Sequence, residues 1–307
     1  MTVKLADGVE LRGASCLLCP PGLEDARVVL AALYLPGLSL RLPRAGWRQV
    51  RDALRRQAPT LEHAEGVLRR EGFRDAAALL SEPRRLATAE PLSTLTALDV
   101  AYPLGWEERL PDAAPPVLWR CGSLPSTSRW LGVVGRRHPS SAGLDRAEAS
   151  TRCLASLGIA LASGGAVGCD HAARDAALAR GGEAIDLLPR GLTSEDAPHE
   201  GRLTLLSVRA PGEPFSAGAA MERNRLIYAA GPGAYVAEAR LREGGAWSGA
   251  LEALRARLGV VAVPCDDEPA HRTLRALGAV GLENPEDFPW AAAQEGASLF
   301  TPAEPRG

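Results

Sequence analysis

Short, predominantly apolar runs, several of them wholly apolar, alternate with longer amphipathic runs from about residue 130 to residue 264. The apolar runs have the length of β-strands, and their lack of polar alternation indicates strands covered on both faces. The amphipathic runs repeat apolar residues at helical spacing. This alternation predicts βαβ units around a mostly parallel sheet. We therefore expect an α/β fold with an extended Rossmann-like domain.

The two kinds of run can be placed on the chain. The predicted strands are "WLGVVG", "IALASGG", "EAIDLLP", "LTLLSV", "PGAYVAEA" and "VVAVP". The predicted helices are "SAGLDRAEASTRCLASLG", "DHAARDAALARGG", "MERNRLIYAAG" and "WSGALEALRARLG".

Composition changes mark the domain boundaries. Residues 1–88 carry helical spacing broken by Pro-Gly pairs, which predicts a small helical domain. The prolines around 102–125 suggest a connecting region within the Rossmann-like domain, 89–288. The tail, 289–307, is rich in Pro, Glu and Ala, and we expect it to be loosely ordered.

Charge and cysteine content exclude several classes of function. The net charge is −2, so the chain has no overall positive charge that would indicate binding to nucleic acid. A site for a polyanion must therefore be a local cluster of arginines. Cys16 and Cys19 form a CxxC without a second pair, which favours reduced thiols over a metal site. No apolar run is long enough to cross a membrane, and no signal-peptide pattern is visible. We expect a cytoplasmic protein with no membrane contact, no metal and no cofactor.

Three segments follow predicted strands or open predicted helices with unusual composition. In an open α/β sheet, ligands bind at the carboxyl ends of the strands. The first segment is "VVGRRHPSS", where Arg136 and Arg137 follow the turn at Gly135 and precede a helix. A loop of this kind can hold a phosphate, although a polar surface loop is the plainer interpretation.

The second segment is the glycine-rich turn "ASGGAVGCD". It lacks the Gly-Lys-Ser/Thr ending of a Walker loop, and it is not a GxGxxG fingerprint. It carries no lysine or arginine, so a phosphate would bind its backbone N–H groups. The candidate residues are Ser163, Gly164, Gly165, Gly168 and Asp170.

The third segment, "MERNRLIYAAG", places Arg223, Asn224 and Arg225 at the predicted start of a helix. Residues two apart do not share a helix face, so we expect only one arginine to point at a given ligand.

Signals for catalysis are weak. The five histidines lie in no metal-binding spacing, and no GxSxG nucleophile elbow occurs. His171 could be an acid–base group, but a surface histidine is the more common outcome. Trp130, Trp247 and Tyr228 could stack on bases, although each fits the core better.

Taken in order, the segments resemble the DNA-processing protein A family (DprA, also called Smf). "GVVGRRHPSSAG" resembles the family's GSR-x-x-S-x-x-G loop, and "ASGGAVGCDHAARDAALARGGEAIDLLPRGL" its SGxAxGID run. "LLSVRAPGEPFSAGAAMERNRLIYAAGPGAYVAEA" resembles its PG-to-RNR-to-VVEA segment. "PPVLWRCGSL", "VVAVPC" and "HRTLRALGAVGLENPEDF" match its entry segment, FAVPG strand and closing helix and strand. The likeness covers roughly residues 97 to 288.

The resemblance implies an extended Rossmann-like fold that binds single-stranded DNA without catalysis. It also implies a homodimer that helps to load a RecA-type recombinase during natural transformation and homologous recombination. By position, the resemblance carries over Arg137, Ser163, Gly164, Gly168, Asp170, Arg223, Asn224 and Arg225 as DNA-binding residues. Arg136 and Gly165, which the residues of the two loops suggest by themselves, complete the candidate DNA-binding set. Glu238 matches the VVEA glutamate. We expect no counterpart after residue 288 of the C-terminal winged-helix domain found in some members.

Departures from the family pattern point to a divergent member. Val167 stands where the family has Arg or Lys, Cys169 where it has Ile, and Arg136 where it has the serine of GSR. One phosphate-binding cation is therefore lost, and Arg136 is the candidate to replace it. About three neutralised phosphates would give a slope of roughly −2 in log affinity against log salt.

Two alternatives stay open. One is a phosphoribohydrolase-like enzyme on the same Rossmann variant, which would carry PGGxGTxxE where this chain has "LREGGAWSGALEAL". The other is a nucleotide-binding sensor that keeps the fold without a DNA pocket.

Overall fold

The computed structural model describes a central α/β domain and a few N-terminal residues. The described residues are 2–4, 10–12, 66, 69–70, 93–111, 113–196 and 201–288. Most of the predicted helical domain (1–88) and all of the predicted tail (289–307) lie outside them. Residues 66, 69 and 70 are helical. No helix of the described part combines the length and apolarity needed to span a bilayer.

Two short strands lie at the start of the 1–88 segment, before the first helix predicted there. Strands β1 (Thr2–Lys4) and β2 (Glu10–Arg12) pair antiparallel, with Val3 opposite Leu11. Each strand has one apolar residue between two polar ones, the period-two pattern of a strand and not of a helix.

A nine-stranded sheet forms the frame of the α/β domain, in the order β11-β10-β9-β5-β6-β7-β8-β4-β3. Seven neighbouring strands are parallel, and β4 runs antiparallel to both β8 and β3. The strands are β3 (Ser93–Thr96), β4 (Val117–Gly122), β5 (Trp130–Val134), β6 (Ala160–Ser163), β7 (Ala184–Leu187), β8 (Leu203–Ser207), β9 (Gly233–Val236), β10 (Val260–Pro264) and β11 (Val280–Leu282).

Helices cover both faces of this sheet. They are α1 (Leu104–Arg109), α2 (Ser141–Ala149), α3 (Cys169–Ala179), α4 (Ala217–Ala229), α5 (Gly244–Ala256) and α6 (Pro269–Ala276), followed by a 3-10 turn at Pro285–Asp287. One apolar core includes side chains from α1, α4, α5 and α6, and a second includes side chains from α2 and α3. Strand β5 contributes Trp130 and Val134 to the first core and Leu131 and Val133 to the second. This three-layer arrangement confirms the predicted Rossmann-like fold.

The predicted connecting region contains structure that sequence patterns missed. Helix α1 and strand β4 both lie within residues 102–125, and β3 and β4 extend the sheet beyond its parallel part. The prolines flank these elements instead of interrupting them, since Pro103 is the N-cap of α1 and Pro116 precedes β4. Trp106 of α1 is fully buried, and its Nε1 donates to the Leu226 carbonyl at 2.7 Å.

Helix α2 ends at Ala149, earlier than the sequence pattern suggested. The hydroxyl of Ser150 donates to the Ala147 carbonyl at 2.7 Å, and that of Thr151 donates to the Glu148 carbonyl at 2.8 Å. Such bonds compete with helix continuation, and residues 150–158 form turns instead.

Strand order reverses at β5, and this reversal locates the site. From β5 the chain proceeds through β6, β7 and β8 on one side, while β9, β10 and β11 lie on the other. The loops that leave the carboxyl ends of β5 and β9 therefore diverge and open a crevice between them. This is the position at which open α/β sheets bind ligands.

Candidate nucleic-acid interface

An open pocket of about 470 Å³ occupies the crevice at the carboxyl ends of β5 and β9. We call it the switch-point pocket. Its walls come from the loop after β5, the turn before α3, the start and middle of α4, and the loop leading into α5. Its charged, polar and large apolar lining residues include Arg136, Arg137, His138, Asp170, Phe215, Met221, Arg223, Asn224, Arg240 and Glu243.

The side chain of Asp170 ties two walls of the pocket together. Its Oδ2 accepts from the backbone N–H of Gly164 at 3.0 Å and of Ala166 at 3.4 Å, and its Oδ1 accepts from Gly135 at 3.3 Å. The ends of β5 and β6 thus share one carboxylate. Burial raises the pKa of Asp170 to about 6, although Arg223 and the backbone N–H donors oppose the rise.

At Gly164, Gly165 and Ala166 the glycine turn offers no free N–H group to a phosphate, contrary to the sequence expectation for that part of the turn. The N–H groups of Gly164 and Ala166 already bind Asp170, and the N–H of Gly165 donates to Ser163 Oγ at 3.2 Å. The anion held by this turn is therefore the carboxylate of Asp170 itself.

The hydroxyl of Ser163 is engaged inside the protein as well. It donates to Asp186 Oδ1 at 2.6 Å, and Arg174 donates to the other oxygen of Asp186 at 3.1 Å. Ser163 and Asp186 are both buried. Of the five residues predicted in this turn, Asp170 lines the switch-point pocket, while Ser163 and the three glycines support it from behind.

Two glycines are required by close approach of neighbouring chain. Gly168 has a φ of +87°, and a Cβ there would collide with the carbonyl oxygens of Arg136 and Arg137. Gly135 faces Cys169, whose side chain would overlap any Cβ at that position. These contacts bring the β5 loop against the start of α3. Burial raises the pKa of the Cys169 thiol to about 12, so this residue packs as a small apolar side chain.

Arg223 is a buried cation at the pocket wall. Only 8% of its surface is exposed, and it makes no hydrogen bond or ion pair within the described residues. Desolvation lowers its pKa, while the nearby charges of Asp170 and Asp186 raise it. Its Nε is buried without a partner. A buried guanidinium whose bonding capacity is unused is costly, and an anionic ligand in the pocket would offset that cost.

Arg136 also lines the pocket, but an ion pair within the protein neutralises its charge. Its Nη1 lies 2.7 Å from Glu238 Oε1, at the end of β9. Glu238 accepts from the N–H and hydroxyl of Ser140 as well, which fixes the start of α2. Desolvation would raise the pKa of Glu238, but these bonds outweigh it and the pKa is lowered. Arg136 therefore does not replace the cation that is absent at Val167.

Arg137, next along the chain, is exposed on the pocket and makes no hydrogen bond or ion pair within the described part of the structure. Together, Arg137 and Arg223 are the pocket cations that no carboxylate contacts. Val167 lies nearby in the glycine turn with 53% of its surface exposed.

The structure separates Arg223 from Arg225, as their two-residue spacing predicted. Both lie in the middle of α4 and not at its start, because α4 begins at Ala217 behind the N-cap Ser216. Arg225 lies in a second cavity, of about 330 Å³, with its Nε 3.4 Å from Glu252. Asn224 lines the switch-point pocket, and its side chain has no hydrogen-bond partner within the described residues.

Two pocket residues escaped the sequence analysis. Arg240 lies just beyond β9 and pairs with Glu243 at 3.1 Å, both largely exposed. Phe215 precedes the N-cap of α4 and exposes 55% of its surface. The aromatic residues considered for stacking, Trp130, Trp247 and Tyr228, are all buried. Their places in the chain were the available signal, since Arg240 directly follows the predicted strand "PGAYVAEA" and Phe215 precedes the predicted helix "MERNRLIYAAG".

Comparison with known proteins identifies the family. No curated protein sequence matches the chain. The structure resembles DNA processing protein A from Streptococcus pneumoniae, with a TM-score of 0.59, 21% identity, and coverage of 88% of this chain and 97% of that one. It also resembles DNA processing protein A from Helicobacter pylori, with a TM-score of 0.52, 23% identity, and coverage of 64% and 94%. That second structure is described as showing a single-stranded DNA binding mode. At these identities the likeness establishes the fold. The family model for DNA recombination-mediator protein A matches residues 93–288, and the chain belongs to this family.

Proposed function

We propose that this protein binds single-stranded DNA in the switch-point pocket and acts as a recombination mediator. The observation that carries the proposal is the pair Arg137 and Arg223, cations that no carboxylate contacts on an open pocket at the strand-order reversal. Membership of the recombination-mediator family and the DNA binding described for the Helicobacter pylori protein support the same ligand.

The shape of the site favours a single strand over a duplex. The open pocket of about 470 Å³ between these diverging loops has the size of a small-molecule site, for which the usual range is roughly 300–1,000 Å³. A flexible single strand can turn a nucleotide into such a pocket, whereas a duplex keeps its bases stacked and paired inside. Phosphate oxygens would bind Arg137 at the rim and Arg223 at the wall.

We further propose that the protein acts without catalysis. The buried carboxylates around the pocket hold structural hydrogen bonds, Asp170 to three backbone N–H groups and Glu238 to Ser140 and Arg136. Neither is arranged as a free general base. Incubation of the protein with AMP should release no adenine, and release would favour the phosphoribohydrolase alternative.

We also propose four properties that come from the sequence. The resemblance to the family implies a homodimer and delivery of DNA to a RecA-type recombinase during natural transformation. Composition and sequence patterns indicate a cytoplasmic location and the division into 1–88, 89–288 and 289–307. Sedimentation tests the homodimer, and cell fractionation tests the location. Limited proteolysis tests the domain division. The recombinase role is tested by stimulation of filament formation on DNA coated with single-strand binding protein.

The DNA-binding proposal is tested by fluorescence anisotropy with a labelled oligo-dT over a range of salt concentrations. Two free cations, each releasing about 0.7 counterion per phosphate of a single strand, predict a slope near −1.4 in log affinity against log salt. Arg137→Ala should flatten the slope by about 0.7. Arg255→Ala, an exposed arginine near the far end of α5, should leave it unchanged.

Absence of binding to oligo-dT at low salt would refute the proposal. Equal weakening by Arg137→Ala and Arg255→Ala would place the DNA elsewhere on the protein.

A further inference from the structure

The loop after β9 carries two charged residues that act at the switch-point pocket. Glu238 holds Arg136 and the start of α2, and Arg240 lines the pocket itself. Ala239 lies between them in the chain and is buried. The group that holds the backbone of Ala239 therefore fixes the position of both neighbours.

The imidazole ring of His271 is that group. His271 belongs to α6 and is fully buried, and the N–H of Ala239 donates to its Nε2 at 3.3 Å. A backbone N–H can only donate, so Nε2 carries no proton. The proton of the neutral ring is therefore on Nδ1, which donates to Asp266 Oδ1 at 2.6 Å. These two bonds join the loop after β9 to the loop after β10.

Asp266 favours a second proton on this ring. Its Oδ2 lies 2.8 Å from Nη2 of Arg146 in α2. Desolvation would raise the pKa of Asp266, but the hydrogen bond with His271 and nearby positive charge outweigh it, and the pKa is lowered. Asp266 therefore stays ionised in the range in which histidines titrate, and a carboxylate in contact with an imidazole favours the charged ring.

Burial and the Ala239 N–H oppose that second proton. A charged ring loses its hydration in a buried position, and an N–H at Nε2 would face the N–H of Ala239. Two donors cannot share a hydrogen bond, so the charged ring and the bond to Ala239 exclude each other. The protonation state of His271 thus decides whether the loop after β9 is held.

Other charged or titratable side chains close to the His271–Asp266 pair come from β9, α6 and the loop before α6. Arg275 donates from Nη2 to the Asp266 carbonyl at 2.7 Å and remains a cation. Burial raises the pKa of Tyr235, which therefore stays neutral. Three more are exposed around the start of α6, namely Asp267, Glu268 and Arg272.

We propose that His271 is a positioning residue whose neutral ring keeps Glu238 against Arg136, and that a proton on Nε2 releases this hold and frees Arg136 for the bound DNA. The ring takes one proton from the solvent, and the hydrogen bond from Ala239 is lost. Glu238 is the next residue in the chain, so its ion pair with Arg136 loosens as the backbone moves. This inference rests on the proposed function and adds control by pH to the same site.

The first test measures the loop without DNA. Hydrogen exchange of residues 237–240 is followed at about pH 7.5 and about pH 5.5, on either side of the range in which histidines titrate. The protection factors of wild type, which are corrected for the intrinsic effect of pH on exchange, should fall at the lower pH. His271→Gln should stay protected at both, because its amide oxygen can accept from the Ala239 N–H and cannot titrate.

A second variant keeps the histidine. Asp266→Asn leaves an acceptor oxygen for the Nδ1–H but removes the charge that favours the second proton. Its protection factors in residues 237–240 should stay high at the lower pH. Circular dichroism checks that both variants are folded.

The second test measures DNA binding by anisotropy with labelled oligo-dT at the same two pH values. Between the higher and the lower pH, the salt slope of wild type should steepen by about 0.7 more than that of His271→Gln, because one more cation contacts a phosphate. The affinity of wild type should rise about fivefold more than that of His271→Gln. Protonation of Asp170, whose pKa is about 6, affects both proteins alike and cancels in this comparison.

Two results overturn the inference and leave DNA binding intact. The first is equal protection of residues 237–240 in wild type at the two pH values. The second is the same change of salt slope with pH in wild type and His271→Gln. A failure of the proposed function looks different, because no oligo-dT would bind at either pH. Release of Arg136 to DNA would then fail as well, and the exchange data alone would decide whether His271 holds the loop.

Discussion

Replacing Glu238 by glutamine should strengthen DNA binding, because it releases Arg136. In the wild type, Arg136 Nη1 lies 2.7 Å from Glu238 Oε1, and the two charges cancel at the rim of the pocket. Glutamine keeps the shape of the side chain and one acceptor oxygen but removes the charge. Arg136 then becomes a third free cation beside Arg137 and Arg223.

The magnitude follows from the number of free cations. Each contributes about 0.7 to the slope of log affinity against log salt, so the slope should steepen from near −1.4 to near −2.1. Arg136 is one-third exposed, so solvent screening limits the binding free energy of a new phosphate contact to about 1 kcal/mol. This corresponds to a gain in affinity of roughly fivefold. The N–H and the hydroxyl of Ser140 both donate to Glu238 Oε2, and the glutamine carbonyl oxygen can take the place of that atom. These bonds lose their charge assistance and the pair with Arg136 is lost, so the variant should lose about 1 kcal/mol of unfolding free energy.

The assay is the same anisotropy titration at several salt concentrations, with urea unfolding as the check on stability. Glu286→Gln is the matched control. Glu286 pairs with Arg152 at an N–O distance of 2.8 Å, and neither residue lines the pocket. Unchanged slope and affinity in a folded Glu238→Gln protein would refute the view that the ion pair withholds Arg136 from the ligand.

Three further predictions concern the glycine turn and the carboxylate it holds. Val167→Arg adds a cation at an exposed position beside the pocket, so it should steepen the salt slope of DNA binding by about 0.7 without loss of thermal stability. A salt slope equal to that of wild type in the anisotropy titration would place Val167 away from the bound DNA. Gly168→Ala should lower the unfolding free energy by more than about 1 kcal/mol, because φ is +87° and the added methyl group meets the carbonyl oxygens of Arg136 and Arg137. A urea midpoint equal to that of wild type would contradict this packing. Burial raises the pKa of Asp170 from its ordinary 3.8 to about 6, so the folded protein keeps a proton that the unfolded chain releases. Wild-type stability relative to Asp170→Asn should therefore fall by up to about 3 kcal/mol as the pH rises from about 4 to about 6, and parallel stability curves of the two proteins would exclude a raised pKa.

Sequence patterns predicted the parallel part of the fold because each of its strands is locally apolar. Strands β5, β6, β7, β8, β9 and β10 all lie where the alternation placed them. Strands β3 and β4 escaped because their antiparallel pairing is set by contacts distant in sequence, and the prolines beside β4 resemble those of a loop.

The site was only partly predictable, for a related reason. The chain order of the motifs located three of the four segments that line the pocket. It could not show that Asp170 accepts hydrogen bonds from N–H groups of its own turn. Nor could it show that Glu238 neutralises Arg136, because these two residues lie 102 positions apart. Residue types at a strand end indicate what can bind, whereas the pairing of side chains decides which groups are left to do so.

Hydrogen exchange measured by mass spectrometry, with and without oligo-dT, tests the location of the DNA site most directly. If DNA occupies the switch-point pocket, binding should slow exchange in residues 135–140, 164–170 and 215–224, and leave 104–122 and 269–282 unchanged. Protection confined to 104–122 or 269–282, with none in the three pocket segments, would contradict the account.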